Sequence, residues 1–298
     1  MLKILFASSE VQPIIKTGGL ADVSGALPAA LKIMRHDVRI VMPAYGDALQ
    51  TSKRTQPVAQ LQLPGLPGYV NILEKKLSNS SVKVYFVDYG PAFDRKGNPY
   101  VDNEGKPWPD NAERFTLFCR AICELAQNRA GLDWQPDIVH CNDWQTGLVP
   151  ALLQTEITRP ATIFTIHNLA YQGLFPQQTF NILGLPNQLW SPDALEFHHQ
   201  LSFIKGGIVF SDRINTVSPQ YASEIQTPEF GNGLEGLLKH RSSKLSGILN
   251  GINEKEWNPA DDSHLKTNYD AKSLSDKKLN KQDLQTTFGL ANDSDTLL

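Results

Sequence analysis

Short polar clusters follow several apolar runs of this sequence, and their side chains are of the types that bind sugars or nucleotides. Amide, carboxylate, imidazole and hydroxyl groups donate or accept hydrogen bonds, as a ligand rich in hydroxyl groups requires. In an open parallel sheet, ligands bind at the carboxyl ends of the strands, so clusters that follow different strands converge on one pocket. Five such clusters predict a sugar or nucleotide pocket: Lys16-Thr17-Gly18-Gly19, Asn142-Asp143-Trp144, His167-Asn168, Thr216-Val217-Ser218 and Asn250-Gly251.

The glycine pair of the first cluster lies between an apolar run and a helical pattern. Glycines there let backbone N–H groups approach a phosphate at a helix N-terminus, and the ammonium of Lys16 can neutralise a pyrophosphate. The alternative is that Gly18 and Gly19 only turn the chain, beside a solvated lysine. The pattern is neither G-x-G-x-x-G nor a Walker loop, which disfavours a nicotinamide dinucleotide site and a P-loop.

The second and third clusters also have structural alternatives. His167 and Asn168 each donate and accept, which suits sugar hydroxyls, but His167 is equally typical of a satisfied structural histidine. Asp143 offers a carboxylate and Trp144 an aromatic face, but a helix N-cap followed by a core tryptophan fits the same pair.

Composition narrows the class of partner. Of the 298 residues, 28 are Lys or Arg and 31 are Asp or Glu, so the net charge is −3 and neither a nucleic acid nor an anionic membrane is expected. The sparse Cys119, Cys123 and Cys141 favour buried thiols in a reducing cytosol over disulfides or zinc ligands. No segment resembles a signal peptide or a membrane span, so a cytoplasmic protein is expected.

Other histidines and aromatic residues receive structural interpretations. His198-His199 has no partner at metal-ligand spacing and is predicted to lie on a helix surface or to pack. Tyr100, Trp108 and Trp134 are predicted to pack. Neither a metal nor another cofactor is predicted.

Alternating strands and helices are predicted to position the clusters. Helices are predicted from Leu20, with a kink or a later start at Pro28, and over 110–129. The segment 58–77 contains Pro64-Gly65-Leu66-Pro67-Gly68 and predicts a hairpin at the sheet edge. Strands are predicted over 2–7, 37–43, 82–88, 138–141, 162–166, 214–217 and 247–249. The fold class is therefore α/β, with a Rossmann-like parallel sheet flanked by helices.

The composition changes at Asp261, where Asp, Ser, Lys and Asn become frequent. We therefore expect one domain over 1–260 and a linker over 261–298 that leads to a further domain. A short helix is predicted over 281–288, and Leu297-Leu298 resembles the first residues of another strand.

Six segments of the sequence, 16–23, 94–100, 142–148, 165–173, 215–219 and 247–252, read KTGGLADV, DRKGNPY, NDWQTGL, TIHNLAYQG, NTVSP and GILNGI. In these segments, and so over essentially its whole length, the chain resembles bacterial glycogen synthases and plant starch synthases, which are retaining glucosyltransferases that use ADP-glucose. That family has two Rossmann-like domains that face each other across a cleft, the GT-B arrangement. The resemblance implies that this chain is the N-terminal domain.

The resemblance also implies a role for each matching residue. The implied donor-binding groups are Lys16, the amides of Gly18 and Gly19, Asp22 on the nucleotide side, Asn168 and Asn250. The glucose and acceptor pocket comprises Asp143, Trp144 and Phe93. His167 and Lys16 are the implied catalytic residues, with His167 stabilising an oxocarbenium-like transition state through its carbonyl or ring.

The implied reaction transfers glucose from ADP-glucose to the 4-OH at a non-reducing end of glycogen or another α-1,4-glucan, without a metal. A donor phosphate oxygen assists the acceptor hydroxyl on the front face, so no pair of glycosidase carboxylates is required. Two alternatives stay open: a catalytically inactive glucan-binding module, and a related glycosyltransferase that uses another nucleotide sugar.

Four departures from the family pattern limit the resemblance. Phe93 replaces a frequent tyrosine, Gln145 a frequent histidine and Asn253 the usual aspartate. In addition, the family's second domain, with an Arg/Lys pair for the pyrophosphate and a glutamate near the glucose, has no counterpart before Leu298. The chain is therefore expected to be the first half of the enzyme and to be inactive by itself.

Overall fold

The computed structural model describes residues 1–46, 56–78, 80–254 and 257–298. These residues form two compact units, Met1–Asn250 and Gly251–Leu298. The boundary at residue 260 and the linker over 261–298 stay predictions.

A twisted sheet of nine strands, among the described residues, forms the centre of the first unit. Its strands are β1 (Lys3–Ala7), β2 (Asp37–Pro43), β3 (Ala59–Leu61), β4 (Val70–Lys76), β5 (Lys83–Asp88), β6 (Ile138–Asn142), β7 (Ala161–Ile166), β11 (Arg213–Thr216) and β12 (Leu245–Gly247). They lie in the order β12-β11-β7-β6-β1-β2-β5-β4-β3. The seven strands from β12 to β5 are parallel, and β4 and β3 add an antiparallel edge.

This strand order brings the five polar clusters together. The clusters follow β1, β6, β7, β11 and β12, which are consecutive neighbours in the sheet. These strands are paired directly: Ile4 of β1 pairs with Ile138 of β6, and Ile163 of β7 pairs with Arg213 of β11. Because parallel strands end on the same side of a sheet, all five clusters lie at one edge.

The predicted fold class is confirmed, and most predicted strands are confirmed to within one residue. Hydrophobic burial explains this agreement, because the inner strands are covered on both faces and read as short apolar runs. The predicted hairpin over 58–77 is confirmed as β3 and β4. The predicted strand at 247–249 is wrong by two residues, because β12 pairs Leu245 and Gly247 with β11 and leaves Ile248 and Leu249 exposed.

Helices cover the sheet and follow its strands. They are α1 (Gly19–Ile33), α2 (Gly90–Phe93), α3 (Asn111–Ala126), α4 (Leu148–Leu153), α5 (Gln177–Ile182), α6 (Phe203–Phe210), α7 (Pro219–Glu224) and α8 (Glu235–His240). The second unit contains a further helix, α9 (Lys277–Thr287). The buried thiols of Cys119 and Cys123 lie on α3, as predicted. None of these helices, over the described ranges, has the length and apolar character that a membrane crossing needs.

Helix α1 runs through Pro28, so the predicted later start at this proline is wrong. Proline removes one N–H donor from a helix interior. Pro28 is nevertheless buried on the same face as Leu20, Ala21 and Ser24. Burial of this face against the sheet stabilises the helix and offsets the lost hydrogen bond.

A second, three-stranded sheet joins β8 (Leu174–Pro176), β10 (Gln200–Ser202) and β9 (Glu196–Phe197). His198 and His199 form the turn between β9 and β10, with φ values of 49° and 63°. Their predicted helical setting is therefore wrong, because two left-handed residues in sequence end any regular element.

Leu297 and Leu298 belong to no strand, and the predicted helix over 281–288 begins earlier, at Lys277.

Candidate active site

A cavity of about 660 Å³ lies within the first unit, where the five clusters meet. Each cluster contributes to its wall: Thr17, Gly18 and Gly19 after β1, Asp143 and Trp144 after β6, His167 and Asn168 after β7, Val217 after β11, and Asn250 after β12. The predicted pocket at the carboxyl ends of the strands is therefore present.

The glycine pair leaves open space above its backbone. Gly18 has an extended backbone (φ −155°) and precedes α1, which begins at Gly19. A Cβ added at either glycine meets no atom within 4 Å, and neither φ is positive. Neither a turn nor packing therefore requires glycine here, and both glycines line the cavity.

Lys16 and Asp22 flank the glycine pair but do not line the cavity. The Nζ atom of Lys16 donates to Oδ1 of Asp22 at 2.7 Å, and the two side chains are 40% and 48% exposed. An ion pair with this exposure adds at most about 1 kcal/mol to stability. The structure thus brings the two residues to each other, beside the loop that lines the cavity.

Asp143 connects the ends of two neighbouring strands. Its Oδ1 accepts a hydrogen bond from the backbone N–H of His167 at 2.7 Å, and its own N–H donates to the carbonyl of Thr165. Asp143 lies at the N-cap position of the turn Trp144–Thr146, as the alternative predicted, but its side chain makes no capping hydrogen bond there. Burial raises the pKa of Asp143 to about 7. Its φ of 54° is strained for a residue with a side chain, and such strain is concentrated at functional sites.

The ring of His167 has a defined tautomer. Nδ2 of Asn142 donates to the carbonyl of Ala7, so the Oδ1 atom of Asn142 faces Nε2 of His167 at 3.0 Å. Because Oδ1 only accepts, Nε2 carries the proton. Burial lowers the pKa of His167 to about 4, so the ring is neutral at pH 7 and Nδ1 is a hydrogen-bond acceptor.

A second neutral histidine lies behind the cavity wall. Nε2 of His140 lies 2.6 Å from Oγ1 of Thr165, which donates to Oδ1 of Asn215. His140 is therefore the donor in this chain of hydrogen bonds. Burial, and then the proximity of His167, lower the pKa of His140 to about 4.

These two histidines predict a loss of stability in acid. A histidine with a pKa of about 6.5 when unfolded and about 4 when folded binds its proton preferentially in the unfolded state between these values. Stability is then present above about pH 6.5 and falls toward pH 4, by about 3 kcal/mol at most per histidine. The raised pKa of Asp143 acts with the opposite sign over the same window.

His140→Gln isolates one histidine, since glutamine keeps a donor for Thr165 and has no titrating proton. Between pH 7 and pH 4.5, urea unfolding should show a smaller loss of stability for this variant than for the wild type, by about 2 kcal/mol. If the free energy of unfolding fell equally with pH in the two proteins, the pKa of His140 would be the same in the folded and unfolded states, and the prediction would be wrong.

Trp144 belongs to both the core and the cavity wall. Its ring contacts Phe115 edge-on, with centroids 5.0 Å apart, and it also packs against Phe175 and Phe203. Gly173, with a φ of +60°, leaves room for this ring, because a Cβ there would lie 2.4 Å from Cε3 of Trp144. Trp144 also lines a second cavity of about 340 Å³, so the two interpretations of this residue hold together.

Phe93 is one predicted pocket residue that the structure does not bring to either cavity. It is fully buried in α2, where its ring lies edge-on to Tyr45 at 5.9 Å and under the guanidinium of Arg114 at 5.6 Å. A phenyl ring has no polar atom to direct toward the cavity, so core packing decides its position. Its assignment to the acceptor pocket stays a prediction.

Several lining residues were not predicted from the sequence: Glu10, Asn98, Tyr100, Val101, Pro107, Asn111, Gln145 and Tyr171. Tyr100 packs against Phe115, as predicted, but its hydroxyl also donates to Glu10 at 2.6 Å. A carboxylate three residues after the end of a buried strand was a detectable signal for Glu10. Over the described residues, no three His, Cys, Asp or Glu side chains form a set that could hold a metal ion.

Comparisons with known proteins identify the family of this chain. The family model described as starch synthase catalytic domain matches residues 3–240. Glycogen synthase 1 of Methylococcus capsulatus is 56% identical over 292 residues, which are 98% of this chain and 59% of the relative. The glycogen synthase of Thioalkalivibrio sulfidiphilus is 57% identical over 97% of this chain and 60% of its own length.

Among solved structures, the catalytic domain of starch synthase IV from Arabidopsis thaliana, bound to ADP and acarbose, superposes with a TM-score of 0.80 at 34% identity. The match covers 97% of this chain and 60% of that one. The chain thus spans about 60% of the length of the relatives it matches. By its sequence and its fold, this chain belongs to the starch synthase catalytic domain family.

Proposed function

We propose that this chain forms the donor- and acceptor-binding face of a glycogen synthase that transfers glucose from ADP-glucose to the 4-OH of an α-1,4-glucan. The observation that carries the proposal is the open space above Gly18 and Gly19, at the N-terminus of a 15-residue helix. The relatives named glycogen synthase, and the starch synthase IV structure bound to ADP and acarbose, support it.

The donor's pyrophosphate meets the N-terminus of α1. Backbone N–H groups of a first helical turn have no intrahelical partner, and the helix dipole favours negative charge there. Lys16, held by Asp22 at 2.7 Å, contributes an ammonium as the phosphate arrives. Asp22 contacts the nucleotide side of the donor.

The glucosyl unit lies against His167, Asn168 and Asn250. Nδ1 of the neutral His167 accepts a hydrogen bond from a sugar hydroxyl, since Nε2–H is held by Asn142 at 3.0 Å. Asp143 fixes the backbone of His167, so the carbonyl and the ring of this residue stay oriented toward the developing oxocarbenium charge. Trp144 forms the adjoining wall of the glucose and acceptor pocket.

Retention follows from a front-face transfer. The bond from the glucose C1 to the donor phosphate oxygen breaks, the acceptor oxygen bonds to C1 on the same face, and a phosphate oxygen takes the acceptor's proton. Both acidic side chains that line the cavity within the described residues, Glu10 and Asp143, already accept hydrogen bonds from the protein. Both carboxyl groups are thus engaged in holding the protein backbone, and front-face transfer requires neither of them as a nucleophile.

The proposal is tested by ADP titration and by incorporation of labelled glucose into glycogen. The chain should bind ADP and fold stably, but its turnover should be at least about tenfold below that of the Methylococcus capsulatus relative. Removing one electrostatic stabiliser from an active site costs about two to three orders of magnitude, and the diphosphate of the ADP leaving group needs several such stabilisers. About 40% of that relative has no match in these residues.

Each alternative has its own outcome. Glycogen binding without ADP binding would favour a glucan-binding module, and tighter binding of UDP than of ADP would favour another nucleotide sugar. Turnover within tenfold of the relative would show that residues of this chain suffice to stabilise the leaving group.

A further inference from the structure

Glu10 is a buried carboxylate in the loop between β1 and α1, with 3% of its surface exposed. Oε2 accepts hydrogen bonds from the backbone N–H groups of Thr17 at 2.5 Å and Gly18 at 3.3 Å. Oε1 accepts from Oγ1 of Thr17 and from the hydroxyl of Tyr100, both at 2.6 Å. Four donors thus satisfy the carboxylate, and none of the four is a cation.

This arrangement divides the backbone donors of the glycine loop. The N–H groups of Thr17 and Gly18 are engaged by Glu10, so an anion in the cavity would have to compete with a carboxylate for them. The next N–H groups, those of Gly19 and Leu20, belong to the first turn of α1, whose N-cap residue Gly18 has no side chain to cap it. A negative charge beside Gly18 also repels a phosphate from that end of the loop.

Glu10 extends the same network to another wall of the cavity. Tyr100 is fixed from two further directions, by a 2.8 Å hydrogen bond between its hydroxyl and Ser9, and by Asn111, whose Nδ2 donates to the Tyr100 carbonyl. Burial raises the pKa of Tyr100, so its hydroxyl stays protonated and donates to Glu10. One carboxylate therefore fixes the glycine loop relative to Tyr100 and Asn111, which both line the cavity.

We infer that Glu10 is a positioning residue that directs the donor's pyrophosphate to the N–H groups of Gly19 and Leu20 and away from those of Thr17 and Gly18. This inference rests on the proposed function, because the anion is the diphosphate of a nucleotide. It refines the role that the resemblance gives to both glycines.

Glu10→Gln removes the charge of this side chain and keeps its hydrogen bonds, whereas Glu10→Ala removes both. Glutamine can turn its carbonyl toward the N–H groups of Thr17 and Gly18 and its NH₂ toward two hydroxyls, which can rotate to accept. It should bind ADP within about threefold of the wild type. Alanine leaves two backbone donors unpaired and the loop unfixed, and should weaken ADP binding by about tenfold or more.

Amide NMR of the 298-residue chain shows which donors respond. In the wild type, ADP should shift the amide resonances of Gly19 and Leu20 more than those of Thr17 and Gly18. In Glu10→Ala, the Thr17 and Gly18 amides should exchange faster without ligand and should respond to ADP. Tyr100→Phe, which keeps the ring on Phe115, should speed exchange at Thr17 even if Glu10→Ala does not fold.

These outcomes test the positioning role of Glu10 separately from the proposed function. Unchanged exchange at Thr17 and Gly18 in both variants overturns the positioning role, as does a wild-type response to ADP largest at Thr17 and Gly18. No response to ADP anywhere in the wild-type chain overturns the proposed function, whereas faster exchange in the ligand-free variants would still establish the contact of Glu10 with the loop.

Discussion

Gly19→Ala should leave the fold intact and weaken ADP binding by about tenfold or more. The fold tolerates the change, because the new Cβ meets no atom within 4 Å and the backbone has no positive φ. Alanine is also the better helix former, so the melting temperature should stay equal or rise slightly. Binding suffers because the methyl group enters the space that the proposed pyrophosphate occupies. A charge-assisted hydrogen bond lost there is worth about 1.5–3 kcal/mol, or about one to two orders of magnitude in affinity.

Gly236→Ala is the matched control for this experiment. Gly236 lies in α8, its Cβ would also meet no atom within 4 Å, and it does not line the cavity. It should leave ADP affinity unchanged in calorimetry and raise the melting temperature slightly. Equal ADP affinity for Gly19→Ala and the wild type would contradict a phosphate contact at Gly19 and favour the alternative in which the glycine pair only turns the chain.

The sequence predicted those features that depend on local pattern. Apolar runs identified the strands because the inner strands of a parallel sheet are buried on both faces. The polar clusters identified the cavity because the carboxyl ends of parallel strands meet at one edge, whatever the strand order. Asp143, Trp144 and His167 were thus assigned to the cavity before any contact between them was known, and all three line it.

Features that depend on distant contacts were not predicted. Glu10 meets Tyr100 across 90 positions of sequence, and nothing local to either residue indicates the partner. Phe93 was placed in a pocket by resemblance, but Tyr45 and Arg114 bury it in the core. Asp143 lies at the predicted N-cap position, but its carboxylate accepts from the N–H of His167 at the end of a neighbouring strand instead of capping the turn.

His167→Ala should lower kcat by about two to three orders of magnitude while changing KM much less. A group that acts on the charge of the transition state contributes more there than to the ground state. Loss of one preorganised stabiliser in a closed site typically has this size. Turnover is measured in a fusion of residues 1–298 with the part of the Methylococcus capsulatus relative that the match does not cover.

The structure indicates that this variant keeps its fold. Asp143 accepts from the backbone N–H of His167, which alanine retains, so the link between β6 and β7 persists. The hydrogen bond lost among the described residues is the 3.0 Å contact between Nε2 and Asn142. A circular dichroism melt beside the kinetics checks this, and an unfolded variant would favour a structural histidine. His140→Gln is the control, because His140 is also buried and neutral but does not line the cavity.

The pH profile gives an independent readout of the same group. Because burial lowers the pKa of His167 to about 4, its neutral form persists throughout the neutral range. We expect that, within the pH range where the fusion stays folded, protonation of His167 does not change kcat near pH 6.5. A decrease in kcat caused by protonation of His167 should appear only as the pH approaches 4. A wild-type step near pH 6.5 that disappears in His167→Ala would mean that solvent reaches the ring. His167 would then act as a titrating acid or base rather than as a neutral acceptor held by Asn142.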